Sequence, residues 1–163
     1  MRLFFALWPP EATALALERW AAPLKGRRVP AGNIHMTLAF LGEAEPEKAR
    51  AAARRAQGAT FRLPIEEARH WAHNDIVRAG PRSMPPPLRQ LVESLQLELF
   101  REGFILERRP FAAHVTLVRK AQPQPLAPLP PVEWPVKELC LMSSTPTGRG
   151  AAYSRIESFP LSG

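Results

Sequence analysis

The phrase His35-Met36-Thr37-Leu38, HMTL, returns as HVTL at His114-Val115-Thr116-Leu117, and how this repeated phrase is read fixes both the fold class and the chemistry expected of the chain. Each copy sits in an apolar or β-branched run, 34–41 and 112–118, that predicts a strand. Alternation puts His35 and Thr37 on one face, about 7 Å apart at roughly 3.3 Å per residue. Met36, Leu38 and Phe40 then face a core. The same parity joins His114 with Thr116 and sets Val115 and Leu117 behind them. An imidazole beside a hydroxyl suits an oxyanion, because His titrates near neutral pH and Thr donates a hydrogen bond to a phosphate oxygen. Two such pairs on one phosphate would let one His accept a proton from the nucleophile while the other protonates the leaving oxygen. Each step is typically worth ~10²- to 10⁴-fold in rate.

Outward from the two phrases, the pattern alternates helices and strands. A first strand ends at Pro9-Pro10, and residues 9–26 form a helix with Glu11 early and Lys25 late. Residues 46–57, opened by Pro46 and closed by Gly58, predict a second helix whose Arg50, Arg54 and Arg55 form a solvated basic face. FRLPI at 61–65 alternates as a strand, demoted to an edge by Pro64, and 70–80 is expected to complete its hairpin. Residues 87–102 carry Leu88, Leu91, Val92, Leu95, Leu99 and Phe100 as an amphipathic helix. The proline-laden stretch 122–135 reads as a stiff extended connector, and 136–144 with 151–159 as a closing hairpin. The chain is thus predicted to be α+β in two halves, each with one His-x-Thr phrase.

Composition narrows the chemistry. The 163 residues suit one domain, 1–163, and carry a net charge of +7, which favours acidic partners such as RNA. Among the 22 basic residues, Lys occurs only at Lys25, Lys48, Lys120 and Lys137, so Arg, the better bidentate phosphate ligand, dominates. Asp75 is the only Asp and Cys140 the only Cys, so the Asp/His clusters of two-metal phosphoesterases cannot be assembled. His70 and His73 have metal-like spacing but no partner other than Asp75, and read as ordinary, partly exposed residues. No metal and no cofactor are expected. No Walker loop occurs and none of the Lys residues heads a Lys-x-Asp-Gly sequence, which disfavours an ATP-dependent ligase. A lone cysteine and an N-terminal apolar run too short for a signal or a span predict a cytoplasmic, monomeric protein without membrane association.

Four stretches together resemble one family: RLFFALWPP at 2–10, HMTLAFLG at 35–42, HVTLVR at 114–119 and AAYSRIESFPL at 151–161. The chain is similar to the two-histidine phosphoesterase superfamily, and within it to the RNA 2′,3′-cyclic phosphodiesterases, long called 2′-5′ RNA ligases. The resemblance implies two lobes related by a pseudo-twofold axis, antiparallel sheets with helices outside, and an active-site groove between the lobes. It implies hydrolysis of a terminal 2′,3′-cyclic phosphate on an RNA or oligonucleotide to a 2′-phosphomonoester, with His114 as base, His35 as acid, and Thr37, Thr116 and Arg119 holding the phosphoryl oxygens. Ligation at the same site, or action on a small cyclic nucleotide, are the alternatives. Strict alternation objects to Arg119, which has the parity of Val115; Lys120 has that of His114, and a strand end or bulge at Val118 would restore Arg119. Phe5, Trp8, Phe40 and Tyr153 are candidate platforms for a nucleobase.

Overall fold

Residues 3–7 are buried in unbroken succession, so the opening strand must be covered on both faces. The computed structural model describes residues 1–107 and 109–163. Along it run β1 (Arg2–Leu7), α1 (Glu11–Ala21), β2 (Arg27–Arg28), β3 (Met36–Glu43), α2 (Pro46–Arg55), β4 (Phe61–Ile65) and β5 (Glu67–Trp71). Then come β6 (Ile76–Gly80), α3 (Pro86–Arg101), β7 (Val115–Arg119), β8 (Val132–Val136), β9 (Glu138–Thr147) and β10 (Gly150–Pro160). Two four-stranded antiparallel sheets result, ordered β10-β9-β1-β3 and β2-β7-β6-β5, with a two-stranded β4-β8 ribbon beside them. The α+β expectation holds. Each sheet carries one His-x-Thr phrase at the start of a strand, β3 or β7, and these two strands lie against one another.

The first sheet explains the burial of β1. Leu3, Phe5 and Leu7 join Met36, Leu38, Leu139, Leu141 and the apolar stripes of the helices in the main core. Phe4 and Ala6 point the other way, into a smaller cluster with Cys140, Met142, Trp8 and Tyr153. Phe5 is therefore no base platform: it is fully buried on the core face.

Three local expectations are corrected. FRLPI does not pair with residues 70–80; β4 pairs with β8, at the end of the proline-laden stretch, while β5 and β6 form their own hairpin. The proline pattern hides β8 because the two-stranded ribbon leaves its prolines at positions that need no ladder N–H. The basic side chains of α2 are not simply solvated. Arg50 donates to Glu157 on β10 at 2.9 Å, and Arg55 to Glu98 and Glu102 at 3.1 and 2.7 Å, so charge pairs tie α2 to its neighbours. Phe100 leaves the α3 stripe and is 75% exposed; five positions beyond Leu95 it lies about 140° around the helix.

The motif strands hold a further shared feature. Between β1 and β3 the register passes from Ala6↔Thr37 to Phe5↔Ala39, which leaves Leu38 as the extra residue of a bulge. Between β6 and β7 it passes from Arg78↔Thr116 to Val77↔Val118, which leaves Leu117 extra. The leucine of both phrases is thus bulged, and a bulge reverses the parity of the residues beyond it. Leu38 and Ala39 both turn toward the core, and Phe40 emerges on the face of His35 and Thr37, paired opposite Phe4 and 67% exposed. This corrects the expectation that Phe40 faces inward. In β7 Leu117 and Val118 are both buried, and Arg119 emerges exposed on the face of His114 and Thr116. Lys120 comes directly after the strand in a left-handed conformation, φ +51°.

Candidate active site

Each motif histidine sits one residue before its strand, and each is oriented by the backbone two residues earlier. His35 donates from Nδ1 to the Asn33 carbonyl at 2.7 Å, and His114 from Nδ1 to the Ala112 carbonyl at 2.9 Å. A carbonyl only accepts, so both rings keep their proton on Nδ1 when neutral and present Nε2 with its lone pair. The Nε2 of His35 accepts from the Thr37 hydroxyl at 3.1 Å, the pairing that alternation predicted. The short 3₁₀ turn Ala31–Asn33 delivers the Asn33 carbonyl, and the extended Ile34 then swings His35 onto the sheet face.

The two rings have different walls. Trp8 lies parallel to the His35 ring with centroids 4.6 Å apart and 2° between planes, while Tyr153 and Phe4 approach at 5.1 and 5.4 Å. Burial in this aromatic box is the main reason the His35 pKa is lowered from 6.5 to about 4; the charges of Arg119 and His114 push it the same way, and the Asn33 bond opposes. On the other side Trp71 tilts against His114 at 4.8 Å. The His114 pKa is also lowered, first by burial and then by the charges of Arg78, Arg119 and His73, with the Ala112 bond opposing. One guanidinium, Arg119, thus acts on both imidazoles, and His114 acts on His35, so the three groups share one electrostatic neighbourhood. Lys120 enters neither balance.

All five residues singled out in the sequence, His35, Thr37, His114, Thr116 and Arg119, therefore stand on the two facing motif strands or immediately before them. Trp71, in a stretch 68–74 that the sequence offers only as a possible groove lining, and Arg78 join them. Arg78 is 6% exposed, donates to the Ala113 carbonyl at 2.7 Å and stacks its guanidinium 5.0 Å from the Trp71 ring centre. An Arg inside the otherwise apolar IVRAG strand was the available signal. His70 donates from Nε2 to the Ala121 carbonyl at 2.7 Å, a structural tie, and His73 is exposed against Trp71. Among the described residues no three His, Cys, Asp or Glu side chains gather as metal ligands.

Comparison with known proteins identifies the family. The pattern of the family described as LigT like Phosphoesterase matches residues 7–80, which include the first phrase. The RNA 2′,3′-cyclic phosphodiesterase of Escherichia coli strain K12 is 37% identical over 153 residues, covering 88% of this chain and 87% of that one. The chain belongs to the LigT-like phosphoesterases. The enzyme of the same name from Thermus thermophilus is 30% identical across 100% of this chain and 91% of its own length. Crystal structures of Escherichia coli LigT, without ligand and with 3′-AMP, superpose with TM-scores of 0.88 and 0.89 at 32% identity, covering 99% of this chain and 98% of theirs. The described residues of this LigT-like chain form antiparallel sheets and three α-helices, a fold that matches those structures over nearly the whole of both chains. No helix among the described residues is long and apolar enough to cross a membrane.

Proposed function

We propose that this chain hydrolyses the terminal 2′,3′-cyclic phosphate of an RNA or oligonucleotide to a 2′-phosphomonoester, in a groove between the two sheets and without a metal. The reading is carried by one observation: two imidazoles, each tied through Nδ1 to a backbone carbonyl and so presenting Nε2, stand at the heads of two strands that lie against one another, and the charge of Arg119 bears on both. The names of the Escherichia coli and Thermus relatives, and the 3′-AMP held by the Escherichia coli protein, support the substrate class.

In the mechanism, water attacks phosphorus in line with the bond to the 3′ oxygen. Nε2 of His114 takes the proton from water as the new P–O bond forms. The P–O3′ bond breaks, and Nε2–H of His35 gives its proton to the departing 3′ oxygen, leaving the phosphate on the 2′ oxygen. Thr37, Thr116 and Arg119 hold the phosphoryl oxygens as charge gathers on them. His35 is neutral at pH 7 before substrate arrives, its pKa lying near 4. An anionic diester between the rings favours the imidazolium, so the bound phosphate itself raises the pKa and brings in the proton that the leaving oxygen requires. The two rings titrate as a pair. Because both start below 6.5 in the free protein, the bell in kcat/KM is expected to peak on the acid side of pH 6.5, and the bell in kcat to lie higher.

The test is an oligonucleotide ending in a 2′,3′-cyclic phosphate, with the product read by phosphorus NMR. A 2′-phosphate formed at an undiminished rate in EDTA is the expected result. A 3′-phosphate, activity abolished by EDTA, or no product overturns the reading.

A further inference from the structure

The face that carries His114 continues across the second sheet. Thr116 stands opposite Arg78 on β6, and Arg78 stands opposite Arg69 on β5. Directly opposed residues of antiparallel strands project to the same side. A row of Thr116, Arg78 and Arg69 therefore runs from the motif strand to the free edge of the sheet, at about 4.8 Å per strand. Trp71 and Glu67, two positions either side of Arg69, share that side.

The outer part of this face is concave. A cavity of about 350 Å³ is lined by Glu67, Arg69, Trp71, Arg78, Arg82 and, next to His114, Ala113. Arg78 is its fixed floor: Nη2 donates to the Ala113 carbonyl, Nη1 lies 3.7 Å from Glu67, and Nε is buried with no hydrogen-bond partner among the described residues. Arg69 lies above it, its side chain 67% exposed and in contact with Glu67 at 3.3 Å. Two guanidiniums, those of Arg69 and Arg78, thus meet the Glu67 carboxylate, while exposed Arg82 lines the same cavity with its backbone N–H on the Glu66 carboxylate at 3.2 Å, leaving three arginines to two carboxylates. A wall of this kind attracts a phosphate, and Arg is the side chain whose planar fork matches one.

We infer that this wall is a second phosphate subsite, at which Arg69 and Arg82 take a phosphodiester of the strand 5′ to the reacting terminus. The inference rests on the proposed cyclic phosphodiesterase reading and extends it: the subsite engages an oligonucleotide and leaves a mononucleotide untouched. Trp71, packed against both Arg78 and His114, fixes the distance between the subsite and the reacting phosphate.

The experiment compares wild type with the Arg69→Ala/Arg82→Ala double variant on two substrates, a nucleoside 2′,3′-cyclic phosphate and a short oligonucleotide ending in the same group. For the oligonucleotide, KM is expected to rise by about tenfold or more with kcat held. The salt dependence of its binding should flatten by about 1.4 in the log–log slope, as two lost contacts to a single strand require. The mononucleotide should be turned over alike by both proteins, and Arg69→Lys/Arg82→Lys should recover part of the loss. Equal losses on both substrates, or no loss on either, overturn the subsite. Fluorescence anisotropy of a labelled oligonucleotide ending in a 2′-phosphate reads the same contacts without catalysis. If wild type turns over neither substrate, the hydrolase reading falls, and the subsite is then judged by binding alone. A double variant that binds this probe as tightly as wild type overturns it.

Discussion

His35 is boxed by the rings of Trp8, Tyr153 and Phe4, whereas His114 meets one ring, Trp71, and the charges of Arg78 and Arg119. Their backbones are alike: each ring is tied to the carbonyl two residues earlier, each immediately precedes a strand, and each strand bulges at the fourth residue of the phrase. They part at the residue that the bulge returns to the reactive face, Phe40 in one copy and Arg119 in the other. Repetition therefore supplies geometry, and the unrepeated neighbours supply roles. The first half holds a ring whose pKa burial lowers to about 4, and the second half brings the cation whose charge lowers both rings further.

The largest effect tests whether the halves share one reaction. His35→Ala and His114→Ala should each lower kcat by about 10³-fold or more, at the upper end of what a positioned acid or base contributes. Circular dichroism and the melting temperature at pH 7 should hardly change, because both rings keep part of their surface in solvent. A variant of either that retains a tenth of wild-type rate would break the symmetry of the comparison. Next comes the cation. Arg119→Ala should cost about 10²-fold in kcat, the scale of one lost donor to a developing oxyanion, while Lys120→Ala stays within about threefold. In the Arg119 variant the C2 proton resonances of both histidines should titrate at higher pH than in wild type, since the same charge depresses both.

Much of this is legible in the sequence because it rests on period-two alternation and on repetition. His35 with Thr37, and His114 with Thr116, need only the parity of a strand. The helices are visible through Pro46, Gly58 and the Leu88–Leu99 spacing, and the closing hairpin through its turn at Gly148-Arg149. The features that escape reading depend on the third dimension. No sequence period announces a bulge, so alternation turns Phe40 inward and admits Arg119 only by a special provision. The pairing of β4 with β8 joins segments about seventy residues apart, a choice made by tertiary packing and not by the local pattern. Arg78 and Trp71 become site neighbours only through the register of β5, β6 and β7. The lead-in to the second phrase includes Arg108, which lies outside the described residues.

The aromatic box has a cost in acid. The native His35 pKa lies near 4 and the unfolded value near 6.5, so between these the unfolded chain binds the additional proton. Stability is then complete above about pH 6.5 and declines as pH falls toward 4, by at most about 3 kcal/mol from this ring. Urea melts at pH 7 and pH 5 should show wild type losing about 2 kcal/mol more than His35→Gln. His114, also lowered, leaves the variant a residual slope of the same sign. Equal slopes in the two proteins would mean that the box does not exclude the charged ring.

The smallest effect bears on the position where the copies diverge. Phe40 is 67% exposed and touches only the edge of the aromatic cluster, 6.1 Å from Phe4, so Phe40→Ala should leave the melting temperature nearly unchanged. If the proposed oligonucleotide lies along the face of His35 and Thr37, Phe40 is the exposed aromatic a base would meet there. Such stacking is worth about 1–3 kcal/mol. KM should therefore rise about fivefold with kcat held, whereas Arg119→Ala acts on kcat. If Phe40→Ala instead lowers kcat as Arg119→Ala does, the two positions serve the phosphate together, and the division between a half that holds the base and a half that holds the charge is wrong.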